Sequence, residues 1–189
     1  AEGLVFGPIA SSVRALADAL EQSTKPKRAR VCRERLKVVA SEAVARLPWG
    51  ETRALQHIVR AIDASGARLV IGNSACVRLV DLAAAPRATV HSQRGASGID
   101  GLIAGTCGVA TASRAPTVLV LGDVSFLHDV GALQELAKLQ TPTVVVVLDD
   151  GGGRIFEQLP VVDVLPKDAC EAHCALADRW ALDGLGAVR

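Results

Sequence analysis

The sequence of 189 residues contains no methionine, and its aromatic residues, three Phe and two Trp, make up only 3% of it. A chain without methionine does not begin at a start codon, so it is expected to be part of something larger. Scarce aromatics against abundant Ala, Val, Leu and Gly suit helices packed through small residues on a buried parallel sheet. An excess of charge of one sign is also missing: 21 Lys and Arg face 20 Asp and Glu, for a net charge of +1. No global field attracts nucleic acid or an anionic membrane, and any anion recognition must be local. Long hydrophobic runs are absent too. The longest, Val144 to Leu148, falls far short of the roughly 20 residues of a membrane helix, and no charged-then-apolar signal segment opens the chain. Five cysteines, Cys32, Cys76, Cys107, Cys170 and Cys174, are an odd number without framework spacing. This argues against a secreted disulfide scaffold and for a reducing compartment, the cytoplasm. What is present is a half-hydrophobic composition, enough to bury a core.

Residues 11 to 22 read as a short helix with a Ser N-cap, and Ser23 to Arg30, with Pro26 among basic residues, reads as a linker or hinge. The basic stretch Lys25 to Lys37 lacks the interleaved aromatics of a nucleic-acid arm, so a solvated face or linker is expected there. From Glu51 onward apolar runs alternate with helical periodicity. Helices are predicted at Thr52 to Asp63, Ala75 to Ala84, Gly98 to Ala112, Phe126 to Leu139 and Lys167 to Leu182. Strands are predicted at Arg68 to Ile71, Ala88 to His91, Thr117 to Leu121 and Thr143 to Leu148, with the start of another at Gly186 to Arg189. Such alternation predicts an α/β fold, a doubly wound and mostly parallel sheet with helices on both faces.

Four strand ends carry polar or glycine-rich loops: Gly72-Asn73-Ser74, Ser92 to Gly98, Gly122-Asp123, and Asp149 to Gly153. In a parallel sheet all four open on one edge, where doubly wound folds bind ligands. Glycine, Ser and Asn before a helix start offer backbone N–H groups to an anion such as a phosphate. Asp123 and Asp149-Asp150 add hard carboxylate oxygens, as an octahedral Mg²⁺ bridging that phosphate requires. Taken singly, a Gly-Asp after a strand is a cap or turn and Asp-Asp-Gly-Gly-Gly a flexible loop. Their coincidence favours a site. Several features have plainer readings. His128 reads as a capping or supporting residue, Cys170, His173 and Cys174 as a helix face rather than a metal site, and Gly101, Gly105 and Gly108 as a seam for close packing of a helix on the sheet.

Gly122-Asp123-Val124, then 24 residues holding a helix and a β-rich strand, then Asp149-Asp150 resembles the Gly-Asp-Gly to Asn-Asn fingerprint of thiamine-diphosphate (ThDP) enzymes. Gly72-Asn73-Ser74 with Arg78, the string Arg94 to Gly101, Gly122 to Asp129, and Gly152 to Phe156 through Leu159-Pro160 resemble, in order and spacing, the C-terminal domain of the 2-succinyl-5-enolpyruvyl-6-hydroxy-3-cyclohexene-1-carboxylate (SEPHCHC) synthases of menaquinone biosynthesis. Gly-Asp marks the superfamily, whereas the Arg94 to Gly101 string and Val124-Ser125 are family-specific. The resemblance runs from about Gly50 to the end. It implies that residues 50–189 are a diphosphate-binding domain, incomplete at its C-terminus, and residues 1–49 the tail of a middle domain with its linker.

The resemblance further implies that Asp123, Asp150 and the Gly152 carbonyl hold Mg²⁺, with Mn²⁺ as a substitute. Asn73, Ser74, Gly122, Asp123, Val124 and Ser125 would line the cofactor, Ile99 would wedge between its rings, and Ile155 and Phe156 would give apolar walls. Arg78 and Arg94 would bind substrate carboxylates, a task that suits a planar guanidinium. The implied reaction decarboxylates 2-oxoglutarate and adds the succinyl semialdehyde unit to isochorismate. Its activating glutamate belongs to a pyrimidine-binding domain of a second subunit in a homodimer or tetramer, so the chain alone is expected to be inactive. One departure stands out: the family has Asn where this chain has Asp149 and Asp150. The extra negative charge predicts a steep metal dependence. Another ThDP carboligase or decarboxylase, or a non-catalytic anion-binding homologue, remains an alternative reading.

Overall fold

The computed structural model describes residues 27–95, 98–158, 160–164 and 166–174. Runs of Val, Leu and Ile form four strands, β1 (Arg68–Ile71), β2 (Val90–Ser92), β3 (Thr117–Gly122) and β4 (Thr143–Leu148). They lie in the order β2-β1-β3-β4 and every pairing is parallel, with Leu69 opposite both Val90 and Val118, and Val118 opposite Val144. The helices are α1 (Lys27–Arg46), α2 (Glu51–Ser65), α3 (Ala75–Ala83), α4 (Leu102–Ser113), α5 (Asp123–His128), α6 (Leu133–Leu136) and α7 (Lys167–Cys174). The chain separates into two compact units, residues 1–39 and 40–189, and the sheet belongs to the second. From β1 the chain proceeds to β2 on one side and then to β3 on the other, so the winding reverses between β1 and β3. A crevice opens beyond the strand ends at such a reversal.

Strand alternation sorts the core into two layers. Leu69 and Ile71 of β1 and Val120 of β3 pack with Leu55, Val59 and Ile62 of α2 and with Cys76 and Val80 of α3. Val70, Leu119 and Leu121 point to the opposite face and pack with Leu102 and Ile103 of α4 and Phe126 of α5. In α2 the buried residues fall at helical spacing, 55, 59 and 62, and each such side chain contributes roughly 1.5–3 kcal/mol by burial. Gly66, in the left-handed region at φ 69°, ends that helix. Asp63 Oδ1 then accepts the N–H groups of Arg87 and Ala88, tying the end of α2 to the segment that leads into β2.

The sheet and its helices on both faces agree with the pattern read from the sequence, and the differences have local causes. The basic segment expected to be a solvated face or linker is helical from Lys27, as its Arg, Lys, Glu, Leu and Ala content favours. The second strand begins two residues later than expected and ends one later. The helix expected from Gly98 begins at Leu102, after Gly101 turns at φ 69°. The single helix expected over Phe126 to Leu139 is broken into α5, a 3₁₀ turn at Val130–Ala132, and α6. Gly101, Gly105 and Gly108 do not form a packing seam on the sheet: Leu102, Ile103, Thr106 and Ala110 are the buried residues of α4, and a Cβ at Gly108 would meet open space. The helix expected at residues 11–22, the end of the one expected to reach Leu182, and the strand expected at Gly186 lie outside the described residues. Among the described residues no helix is long and apolar enough to cross a membrane.

Candidate functional site

A cleft of about 450 Å³ opens where β1 and β3 part. The glycines at the two strand ends let the backbones come close. A Cβ on Gly72 would stand 3.0 Å from Leu121 Cβ and 3.2 Å from the Val120 carbonyl oxygen, while the Gly72 N–H donates to that same carbonyl at 2.7 Å. Beyond Gly72 the chain passes through Ser74, which is not a glycine yet holds φ 65°. Strained backbone of this kind concentrates at functional sites. The Ser74 carbonyl accepts a hydrogen bond from Arg78 Nη1 at 2.7 Å, one helical turn on. No side chain caps the start of α3, and Ala75 and Cys76 line the cleft, so the N-terminus of α3 faces it with a positive dipole end.

Opposite lies a loop organised by three aspartates. Asp123, only 7% exposed, accepts the Val124 N–H on Oδ1 and the Gly152 N–H on Oδ2, both at 2.8 Å. Asp150 accepts the Gly153 N–H on one oxygen at 2.7 Å and the Arg154 N–H on the other at 3.0 Å. Asp149 accepts from Gly151 N at 2.9 Å. Gly151, Gly152 and Gly153 sit at φ 84°, 118° and 76°, a left-handed run that side chains would strain. Burial raises the Asp123 carboxyl above its ordinary range. Its two backbone donors pull it back, and the charges of Asp150 and Asp149 push it up further.

Glu51, at the start of α2, was not singled out in the sequence, because an acid in a first helical turn is already explained by the helix dipole. It lines the cleft, and its carboxyl is raised by burial and then by the charges of Asp150 and Asp123. Cys76 was likewise missed as a cleft residue. Burial, followed by the Glu51 charge, pushes its thiol up to about 12, so it is a neutral wall and not a nucleophile at neutral pH.

All nine residues expected to contact the cofactor line this one cleft: Asn73, Ser74, Ile99, Gly122, Asp123, Val124, Ser125, Ile155 and Phe156. Asp150 and Gly152, expected at the metal, line it too. The two arginines do not. Arg78 is exposed and committed to the Ser74 carbonyl, and Arg94 is exposed on the loop after β2. His128 is exposed, and the capping falls to its neighbour: Asp129 Oδ2 accepts the N–H groups of Ile103 and Ala104 at the start of α4, at 2.6 and 3.0 Å. The side chains of Cys170, His173 and Cys174 lie outside what the structure describes.

The donor set fits a hard divalent cation. Asp123, Asp150 and Glu51 crowd negative charge into a half-buried space, and among the described residues no Lys or Arg forms an ion pair with them. Among those residues no three His, Cys, Asp or Glu side chains converge as a metal-binding group. A cation here therefore needs further oxygens from backbone carbonyls and from a ligand, as Mg²⁺ bound to a phosphate has.

Residues 71–164 match the family model for the thiamine pyrophosphate enzyme C-terminal TPP binding domain. The 2-succinyl-5-enolpyruvyl-6-hydroxy-3-cyclohexene-1-carboxylate synthase of Haemophilus ducreyi is 48% identical over 109 residues, covering 57% of this chain and 19% of that protein. The synthase of the same name from Shewanella amazonensis is 50% identical over 111 residues, 56% of this chain and 19% of that protein. That of Shewanella halifaxensis is 40% identical over 131 residues, 68% and 23%. The chain spans about a fifth of the length of these relatives.

Proposed function

We propose that the chain is the cofactor-anchoring part of a SEPHCHC synthase; its residues 71–164 match the thiamine pyrophosphate enzyme C-terminal TPP binding domain. In this reading Asp123, the Asp150 side chain and the Gly152 carbonyl hold Mg²⁺ or Mn²⁺, and Ser74 with Gly122 to Ser125 receives the diphosphate. Ile99, Ile155 and Phe156 give the rings apolar surfaces. The convergence of loops from all four strand ends on one cleft carries the proposal. Bound ThDP would supply the carbanion chemistry of decarboxylation and carbon–carbon bond formation. The residues of this chain bind and orient: the aspartates place the cation, the α3 N-terminus faces an anion, and the apolar walls exclude water.

The substrates proposed are 2-oxoglutarate and isochorismate. Residues 50–189 act as the diphosphate-binding domain, and residues 1–49 as the tail of a middle domain with its connection. The partner is the pyrimidine-binding domain of a second subunit in a cytoplasmic homodimer or tetramer, so this chain alone is inactive. The experiment is release of CO₂ from 2-oxoglutarate by the full-length protein with ThDP and Mg²⁺. Turnover that depends on isochorismate supports the proposal, and indifference to isochorismate contradicts it.

A second reading is a ThDP carboligase or decarboxylase for uncharged substrates. The position of Arg78 and Arg94 outside the cleft lining favours it. Turnover of 2-oxo acids whose side chain carries no second carboxylate, in place of 2-oxoglutarate, distinguishes the two.

A further inference from the structure

Asn73 follows β1 directly and is 4% exposed. Its Nδ2 donates to the Gln93 carbonyl at 3.3 Å and to the Gly98 carbonyl, which flank the turn between β2 and α4. The carboxamide can face only one way, because a flip would set Oδ1 against two carbonyl oxygens. Oδ1 is therefore turned away from that turn. It is buried without a hydrogen-bond partner, in a residue that lines the cleft. An unpaired buried acceptor is costly and calls for an explanation such as a ligand.

Gln93 extends the arrangement. Its side-chain Nε2 donates to the Gly101 carbonyl at 3.2 Å and lies where a Cβ on Gly105 would stand, 1.7 Å away. Gln93 is thus held at the start of α4 through Gly101, and Gln93 and Gly98 at the end of β1; Arg94 follows Gln93 and Ile99 follows Gly98 in the chain.

We propose that Asn73 is a positioning residue. Its Nδ2 fixes Gln93 and Gly98, and with them Arg94 and Ile99, to the end of β1, while its Oδ1 accepts a hydrogen bond from an N–H or O–H donor of the bound ligand. An oxygen that can only accept is unsuited to an anionic phosphate oxygen. Asn73 therefore marks a part of the cleft distinct from the diphosphate cradle. The second half of the proposal rests on the ThDP reading given above.

The test uses Asn73→Leu in the full-length protein, with Asn73→Ser as the second variant should the first not fold. Trypsin cleavage after Arg94 reads the tether, with cleavage after the exposed Arg114 as the internal reference. The expected result is cleavage after Arg94 at least tenfold faster than in the parent, at an unchanged rate after Arg114. Equal acceleration at both sites, or none at Arg94, overturns the tether. Titration with ThDP and Mg²⁺ reads Oδ1. Affinity at least tenfold weaker is expected, and affinity equal to the parent's overturns that half. If the parent itself binds no ThDP, the functional reading fails and with it the Oδ1 half, while the trypsin result still decides the tether.

Discussion

Replacing Gly72 by Ala tests whether the cleft depends on the close approach of β1 and β3. The added Cβ would stand 3.0 Å from Leu121 Cβ, 3.1 Å from Leu121 Cα and 3.2 Å from the Val120 carbonyl oxygen, against the 3.5–4.0 Å at which such atoms rest. Two of those atoms are backbone of β3, the strand at the centre of both core layers, so relief must come from moving β1. Overpacking of this kind costs roughly 1–3 kcal/mol. Stiffening of the unfolded chain by Ala returns about 0.4–1 kcal/mol, which leaves a net loss of about 1–2 kcal/mol. In a chain of this size that lowers Tm by roughly 2–8 °C. Asn73 and Ser74 come directly after Gly72, and Gly122 and Asp123 directly after Leu121, so the same displacement separates the two sides of the cleft. Affinity for ThDP with Mg²⁺ should fall by about tenfold, in line with the sensitivity of bound geometry to sub-ångström shifts. Thermal melts and calorimetric titration read the two effects. Gly108→Ala is the control: its Cβ meets nothing, and it should stabilise α4 by about 1 kcal/mol. An unchanged Tm and affinity for Gly72→Ala would show that the cleft does not depend on the close approach of β1 and β3.

Asp150→Asn removes one negative charge from beside Asp123 and Glu51. At contact distance such a pair is worth ~1 kcal/mol in water and ~4 kcal/mol at an effective dielectric of 20, so metal-free ThDP affinity should rise about tenfold and the gain on adding Mg²⁺ should shrink; an unchanged ratio with and without Mg²⁺ counts against the charge argument. Asp129→Ala strips the acceptor from Ile103 and Ala104 at a cost of roughly 1–2 kcal/mol, and melts should show Tm lower by roughly 2–8 °C. Cys76, with its thiol pushed from 9.0 up to about 12, should react with iodoacetamide at pH 8 about 1,000-fold more slowly than an unperturbed thiol. The raised value means that stability is fully present below about pH 9 and is lost as pH climbs towards 12, at up to about 1.4 kcal/mol per pH unit; urea titrations across that window should show the slope, and Cys76→Ala should flatten it.

The strands β1, β3 and β4 are legible because their aliphatic runs are bounded by Gly, Pro or Asp, and their common direction follows from the intervening helices. β2 is not legible to the residue. It is three residues long at an edge, with Val90 and Ser92 exposed, so no burial pattern fixes its register. The break between α5 and α6 escapes periodicity because its cause is distant: the Asp129 side chain is engaged by the start of α4, some 25 residues away in sequence. The cleft residues at strand ends are legible only through their coincidence: each Gly-Asp or glycine run alone reads as a cap, turn or loop, but four such loops fall on one edge of a parallel sheet. Glu51 is not, because its role as a cleft wall exists only when α2 lies beside the loop carrying Asp150. The two arginines show the converse: a guanidinium matched to a carboxylate by motif is engaged, at Arg78, by the backbone carbonyl of Ser74.

In the proposed reading the cleft between β1 and β3 anchors ThDP through a divalent cation at Asp123 and Asp150. Calorimetric titration of the full-length protein with ThDP, with and without Mg²⁺, tests it most directly, with Asp123→Ala alongside. Binding is expected to require Mg²⁺ and to be abolished in Asp123→Ala. Binding that is equally tight without the cation, or that survives loss of the Asp123 carboxylate, would contradict it.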